Sequence, residues 1–238
     1  SYSSKIKTLL HPEFLFPQSS SIQSEEELKQ LQQQFYDSPN PMFESGISSA
    51  VLATQVMRNA FGIEPHVAFG YSMGEVSMLF SLGVWGSMDP MSKVLNASPL
   101  FHERIAGPMN SVREYWKLKD TDFQNESLWN WYTLRAEPEL IAKALEKRER
   151  VYLVLINTPQ EVVIAGEPSA CKELIQELKC ESHEIPVTDV VHCPPVQSEY
   201  EEIKKVHTNK VVDKPKVDFF SAADYTTTKL DSEILADN

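Results

Sequence analysis

Gly70-Tyr71-Ser72-Met73-Gly74 sets a serine between two glycines, directly after the apolar run His66-Val67-Ala68-Phe69 and directly before Glu75-Val76-Ser77-Met78-Leu79-Phe80-Ser81-Leu82. The first run reads as a short buried strand and the second as a helix, so the chain must turn from one to the other across Ser72. Such a strand-turn-helix holds the serine in a strained backbone conformation that only small flanking residues permit, and lifts its hydroxyl out where a substrate can reach it. The N–H groups at the start of the helix, that of Met73 among them, are then available to a developing oxyanion. A bare Gly-x-Ser-x-Gly match arises by chance in about one chain in ten of this size, so its weight rests on context. Here Ile63-Glu64-Pro65 supplies a turn into the strand.

Composition bounds the rest. At 238 residues, 42% hydrophobic and 24% charged, the chain is long enough for one sizeable core and a smaller subdomain. A formal net charge of −12 argues against a broad nucleic-acid or anionic-membrane surface. Cys171, Cys180 and Cys193 are odd in number and lack Cys-x-x-Cys spacing, which points to neither a disulfide framework nor a zinc knuckle and fits a reducing cytoplasm. There is no apolar stretch of membrane-spanning length, and the first residues lack the layout of a signal peptide. The abrupt N-terminus is compatible with a fragment boundary.

Residues 18–40 are polar, with a capped helix start at Ser24-Glu25-Glu26-Glu27. Apolar residues at helical spacing from 42 to 61 (Ile47, Val51, Leu52, Val56, Met57) predict a helix beneath the elbow strand. After the elbow helix, Gly83-Val84-Trp85-Gly86 breaks the pattern, Ser87-Met88-Asp89-Pro90 starts a further helix, and Pro99 and Pro108 interrupt the next stretch. Residues 110–131 read as a linker leading into a strand.

Beyond that point a regular alternation begins: strand 131–134, helix 137–147, strands 151–156 and 161–165, helix 169–178 and strand 182–187. The order βαββαβ is ferredoxin-like, with Asn157-Thr158-Pro159-Gln160 as the turn of the central hairpin. The expectation is an α/β protein: an α/β-hydrolase-like large domain with a parallel sheet (1–128 and 189–238) carrying an inserted ferredoxin-like subdomain (129–188).

A serine needs a base, most often histidine. His11 lies in an N-terminal loop, His66 opens the elbow strand, and His102 follows Phe101 in a broken helix. His183 falls in the last small-domain strand, and His207 in a polar, lysine-bearing stretch. His192 lies in Val190-Val191-His192-Cys193-Pro194-Pro195, a loop at the domain junction, where clefts form. Cys193 beside it mimics a papain-like pair, but neighbours in an extended loop point apart.

With Ser72, Glu75 and His192 identified, the chain resembles the malonyl-CoA:acyl carrier protein transacylases and the acyltransferase domains of polyketide and polyunsaturated fatty acid synthases. Gly70-Tyr71-Ser72-Met73-Gly74-Glu75 is similar to their Gly-His-Ser-x-Gly-Glu except at Tyr71. Phe61-Gly62-Ile63-Glu64-Pro65 resembles their Gly-(Ile/Val)-x-Pro, and Leu82-Gly83-Val84 their Ala-Gly-Val. Ile156-Asn157-Thr158-Pro159 with Val162-Val163-Ile164-Ala165-Gly166 resembles their hairpin, Val191-His192-Cys193-Pro194 their His-Ser-Pro region, and Ser221-Ala222 the strand after it. Ser72 and His192 lie 120 positions apart, close to the usual spacing. The resemblance spans residues 40–225 and leans toward the synthases of polyunsaturated fatty acids and heterocyst glycolipids. The Gly-Gln-Gly-x-Gln loop that completes the family's oxyanion hole, and its Glu-x-Gly-Pro segment, have no counterpart here, as in a central portion of a longer synthase.

The resemblance implies a transferase that moves a malonyl or simple acyl group from acyl-CoA to the phosphopantetheine thiol of an acyl carrier protein by a Ser72–His192 ping-pong mechanism, with the Met73 N–H as oxyanion donor. No metal or redox cofactor is implied; the partners are acyl-CoA, the carrier protein and other synthase domains, in the cytoplasm. Tyr71 stands where a histidine against the acyl group is usual, and Asn157 joins it as a substrate-binding candidate. The family's malonyl-selective arginine falls, by ungapped counting, on Ala97, and Arg104 lies two helical turns further along the same face. Without Arg104 at the site a monocarboxylic acyl group is the better substrate. The rivals are a serine esterase or thioesterase and a non-catalytic docking domain of a megasynthase.

Overall fold

The computed structural model describes residues 24–36, 39–119, 122–123, 127–187, 189–223 and 225–237. His11 and the start of the polar segment lie outside them. The chain divides into two compact units, Ser1–Ser98 with Glu201–Asn238, and Pro99–Tyr200.

Among the described residues the first element of the first unit is α1 (Glu25–Tyr36), whose start is a reciprocal cap. The Glu27 N–H donates to Ser24 Oγ at 3.2 Å and the Ser24 N–H to Glu27 Oε2 at 2.8 Å. α2 (Pro39–Phe61) comes next, then β1 (Val67–Phe69), α3 (Met73–Ser81) and α4 (Asp89–Ala97). The helix expected at 42–61 is therefore present, but it packs on α3 through its N-terminal half. A Cβ on Gly46 would fall 2.7 Å from Cε of Met73. Ile47 is fully buried, whereas Leu52, Val56, Met57 and Phe61 remain exposed.

β1 pairs in parallel with β6 (Asp218–Phe220), register Val67↔Asp218 to Phe69↔Phe220. The strand expected to be buried is buried only at Ala68; Val67 and Phe69 point to its open face. Val76, Leu79 and Phe80 of α3 form the core with Trp85, Leu95 and Phe219, and Trp85 meets Phe80 edge-to-face at 5.2 Å.

The second unit starts with a π-helical turn, Leu100–Arg104, and α5 (Asn110–Tyr115). The linker expected at 110–131 is thus helical at its start. Met109 takes a left-handed conformation (φ 53°) that turns the chain after Pro108, and Ser111 and Val112 are buried. Then come β2 (Asn130–Leu134), α6 (Pro138–Leu145), β3 (Val151–Thr158), β4 (Glu161–Gly166), α7 (Pro168–Leu178) and β5 (Ser182–Ile185).

The sheet order is β3-β4-β2-β5 with every pairing antiparallel, the ferredoxin-like arrangement read from the βαββαβ order. Its core packs Leu134, Val162 and Ile164 against Ile141, Cys171 and Leu174 of the two helices. The expected subdomain comprised residues 129–188. The compact unit also takes in 99–128 and 189–200, because Trp116 stacks on Trp129 at 5.9 Å and Trp129 on Tyr152 at 5.8 Å, while Trp131 donates its indole N–H to the Asp189 carbonyl at 2.8 Å. A 3₁₀ turn, Pro194–Glu199, closes this unit before α8 (Tyr200–His207) and, in the first unit, α9 (Ser232–Asp237).

Candidate active site

The serine sits where the sequence pattern places it. β1 ends at Phe69, α3 begins at Met73, and Ser72 between them has φ 53° and ψ −125°. For an L-residue this is a strained conformation costing about 1–3 kcal/mol, retained because its surroundings over-determine it. The Gly74 N–H donates to the Tyr71 carbonyl at 2.9 Å and the Glu75 N–H to the Ser72 carbonyl at 3.0 Å, pinning the turn from below. Gly70 makes the tight passage possible: a Cβ there would lie 2.2 Å from the Glu75 backbone nitrogen.

Tyr71, Ser72 and Met73 are all exposed. The Met73 N–H, at the first position of α3, has no intrahelical acceptor to reach and opens at the positive end of the helix dipole. Below the turn, Glu75 Oε1 accepts the N–H of Ala222, just past β6, at 2.7 Å. The glutamate was legible only as a motif letter; its tether to Ala222 gives it a physical task.

His192 belongs to the second unit. It is the left-handed residue (φ 57°) of the segment between Val190 and the 3₁₀ turn. The residue is exposed overall, yet the atoms crowding its ring hold the imidazole below its ordinary 6.5, because desolvation penalises the imidazolium. Burial pushes the neighbouring Cys193 thiol up to about 12, which keeps it an inert packing group at neutral pH.

Arg104 lies at the end of the π turn, in the same unit as His192. Its Nε and Nη2 donate to Glu199 Oε1 at 3.0 and 2.7 Å, and its Nη1 and Nη2 to Glu114 Oε1 and Oε2 at 2.6 and 2.8 Å. Those four bonds engage four of the five guanidinium N–H groups. Hydrogen bonding to Glu114 and Glu199 raises the Arg104 pKa further, and Arg104 in turn holds Glu114 below the ordinary carboxylate range. Two protein carboxylates thus occupy the group expected to receive a substrate carboxylate.

Ala97 is exposed at the end of α4; Ser98, next to it, is buried and donates to Glu202 Oε2 at 3.4 Å. Asn157 is not in a turn: β3 runs on through Thr158, and the Asn157 side-chain amide donates across the hairpin to Glu161 Oε1 at 2.9 Å. Ser72, Met73 and Tyr71 are in the first unit, and His192, Arg104 and Asn157 in the second. Among the described residues no group of three or more His, Cys, Asp or Glu side chains could hold a metal ion. No helix among them is long and apolar enough to cross a membrane.

Comparison with known proteins agrees with this architecture. No family model matches the chain. It is 32% identical over 211 residues to a polyunsaturated fatty acid synthase subunit from Thraustochytrium sp. (strain ATCC 26185 / S-3), an alignment covering 86% of this chain and 10% of that much longer protein. Among solved structures, a type II polyketide acyl-carrier protein in complex with its malonyl-transacylase matches with a TM-score of 0.67 at 17% identity, over 98% of this chain and 70% of that one. Malonyl-CoA:acyl carrier protein transacylase from Xanthomonas oryzae pv. oryzae matches with 0.66 at 12% identity, covering 98% and 69%. The acyltransferase domain from module 8 of the salinomycin polyketide synthase matches with 0.66 at 17% identity, covering 98% and 49%. At such identities the structural likeness establishes the fold.

Proposed function

We propose, on the premise that this chain is a homologue of a stretch of a polyunsaturated fatty acid synthase and has the fold of acyltransferase domains, that it transfers an acyl group from acyl-CoA to the pantetheine thiol of an acyl carrier protein. The observation that carries this reading is the strained, exposed Ser72 at the N-terminus of α3.

In the first half-reaction His192 takes the Ser72 proton as Oγ attacks the thioester carbonyl. The Met73 N–H donates to the oxyanion of the tetrahedral intermediate; the C–S bond then breaks, and the CoA thiol departs with the proton held by His192. In the second half the carrier thiol gives its proton to His192 as its sulfur attacks the Ser72 ester carbonyl; the ester C–Oγ bond then breaks, and His192 returns the proton to Oγ. The chemistry requires no metal or redox cofactor. The depressed basicity of His192 supports the role, since a neutral imidazole is the form that accepts a proton. Tyr71, exposed beside the nucleophile, is a candidate wall for the acyl group, and Asn157 a candidate contact at the hairpin.

The acyl group is malonyl or a simple monocarboxylic acyl chain. The carrier protein and neighbouring synthase domains are the proposed partners, and the three free thiols support a reducing, cytoplasmic setting.

Intact-mass measurement after incubation with acetyl-, malonyl- and longer acyl-CoAs tests the proposal. A mass gain of one acyl group, lost in Ser72→Ala and discharged only on adding a carrier thiol, is expected. Discharge to water at full rate would favour a hydrolase instead.

A further inference from the structure

We propose that Arg104 is a positioning residue for the segment that carries His192, and not the receptor of a substrate carboxylate. The proposal rests on the acyl-transfer reading of His192 above, and its geometry lies wholly within the second unit.

Two consecutive residues, Arg104 and Ile105, grip the His192 segment at both ends. Upstream of His192, the Val190 N–H donates to the Ile105 carbonyl at 2.7 Å, and both residues are buried. Downstream, Glu199 at the end of the 3₁₀ turn accepts two N–H groups of Arg104 on one oxygen. That oxygen also accepts the Ser198 hydroxyl at 2.9 Å. Between the grips lie His192 in its left-handed conformation, buried Cys193 and the two prolines that open the turn. A non-glycine residue with positive φ is held by its flanks, and here both flanks end on one two-residue stretch.

The grip is itself anchored. The Ser111 hydroxyl donates to the Arg104 carbonyl at 2.8 Å, and Glu114 binds the guanidinium edge that Glu199 leaves open. With two carboxylates on one guanidinium the cluster carries a net charge of −1, which repels a third carboxylate. Displacing Glu199 would strand a side chain only 7% exposed, and an unpaired buried charge is strongly destabilising. Glu114 is 62% exposed, so an incoming carboxylate would have to take its place. The two roles for Arg104 therefore separate on Glu114.

The test compares acyl-enzyme formation from acetyl-CoA and malonyl-CoA in the wild type, Arg104→Lys, Arg104→Gln, Glu199→Gln, Glu114→Gln and the Arg104→Gln/Glu199→Gln double variant. A misplaced base costs up to about a hundredfold in rate. Arg104→Gln and Glu199→Gln are expected to lower the rate constant at least tenfold, equally for both donors, with KM changed less than about twofold. The double variant is expected to be no worse than the more impaired single one, Arg104→Lys to recover part of the loss, and Glu114→Gln, which loosens the outer anchor of Arg104, to lower the rate constant less than Glu199→Gln does and equally for both donors. A selective rise in the malonyl-CoA KM in Arg104→Gln, with a fall in Glu114→Gln, would overturn the proposal.

Hydrogen exchange supplies a readout that needs no activity. Arg104→Gln is expected to speed exchange at residues 190–193 while leaving the β3–β4 hairpin unchanged, and unchanged exchange at 190–193 also overturns the proposal. A wild-type protein that forms no acyl-enzyme with any donor would defeat the acyl-transfer reading, and exchange would then decide the Arg104 grip by itself.

Discussion

Glu75 accepts the backbone N–H of Ala222 at 2.7 Å, across 147 positions of sequence. The bond joins the first turn of the helix behind Ser72 to the chain leaving β6, at the carboxyl ends of two paired parallel strands, where α/β folds place their ligands. A charge-assisted bond of this kind is worth about 1.5–3 kcal/mol. Glu75→Ala should lower the unfolding free energy measured in urea by that order, and Glu75→Gln, which keeps an acceptor, by clearly less. Equal midpoints for the two variants would remove Glu75 from the set of structural ties.

Ser72 is expected to trade stability for exposure of its hydroxyl. Ser72→Ala retains the strain and should unfold near the wild-type midpoint, whereas Ser72→Gly relieves it and should gain about 1 kcal/mol. Both should fail to acquire acyl mass. Thermal or urea unfolding of the pair checks the difference, and a glycine variant no more stable than the alanine one would show that the backbone there is unstrained.

The two motif glycines should behave oppositely. At Gly70 a Cβ would overlap the Glu75 nitrogen and the Gly74 carbonyl carbon, each 2.2 Å away, so Gly70→Ala should cost more than about 3 kcal/mol. At Gly74 nothing lies within 4 Å of the added Cβ, and Gly74→Ala inside the first turn of α3 should be neutral or stabilising by about 0.4–1 kcal/mol. Denaturation of the two variants side by side is the check.

His192 should shape the pH dependence. In the proposed mechanism acyl-enzyme formation draws on the neutral ring, so its rate should rise with pH through a midpoint below 6.5 and stay flat to neutrality. Stability should move in the same direction. Burial lowers the pKa of both His192 and His207, so as pH falls below about 6.5 the unfolded chain takes up protons before the folded one. The associated stability is present above 6.5 and is lost as pH falls through the folded values. His207→Gln should flatten part of that fall in a series of unfolding curves. A rate midpoint above 6.5 would contradict a desolvated base.

Much of the local structure was legible because it depends on neighbours in sequence. The cap joins Ser24 and Glu27, three positions apart, and the helices and strands of the second unit carry their own apolar periods. Two errors share a cause. The face of α2 from Leu52 to Phe61 and the strand residues Val67 and Phe69 are apolar, which sequence equates with burial, yet they are exposed among the residues present. Residues 110–115 read as linker because Pro108 and a dense mix of charge and aromatics mask a one-and-a-half-turn helix that the left-handed Met109 initiates.

By itself the sequence determined the path of the elbow and the order βαββαβ, since glycine sterics, proline stops and hydrophobic period act within a few residues. Only the tertiary structure decided which of many similar carboxylates would do particular work. Glu199 and Glu114 share Arg104, the first across 95 positions, and Glu75 meets Ala222 across 147. An ion pair or a single hydrogen bond has no sequence period, so its partners are chosen by the distances that folding creates.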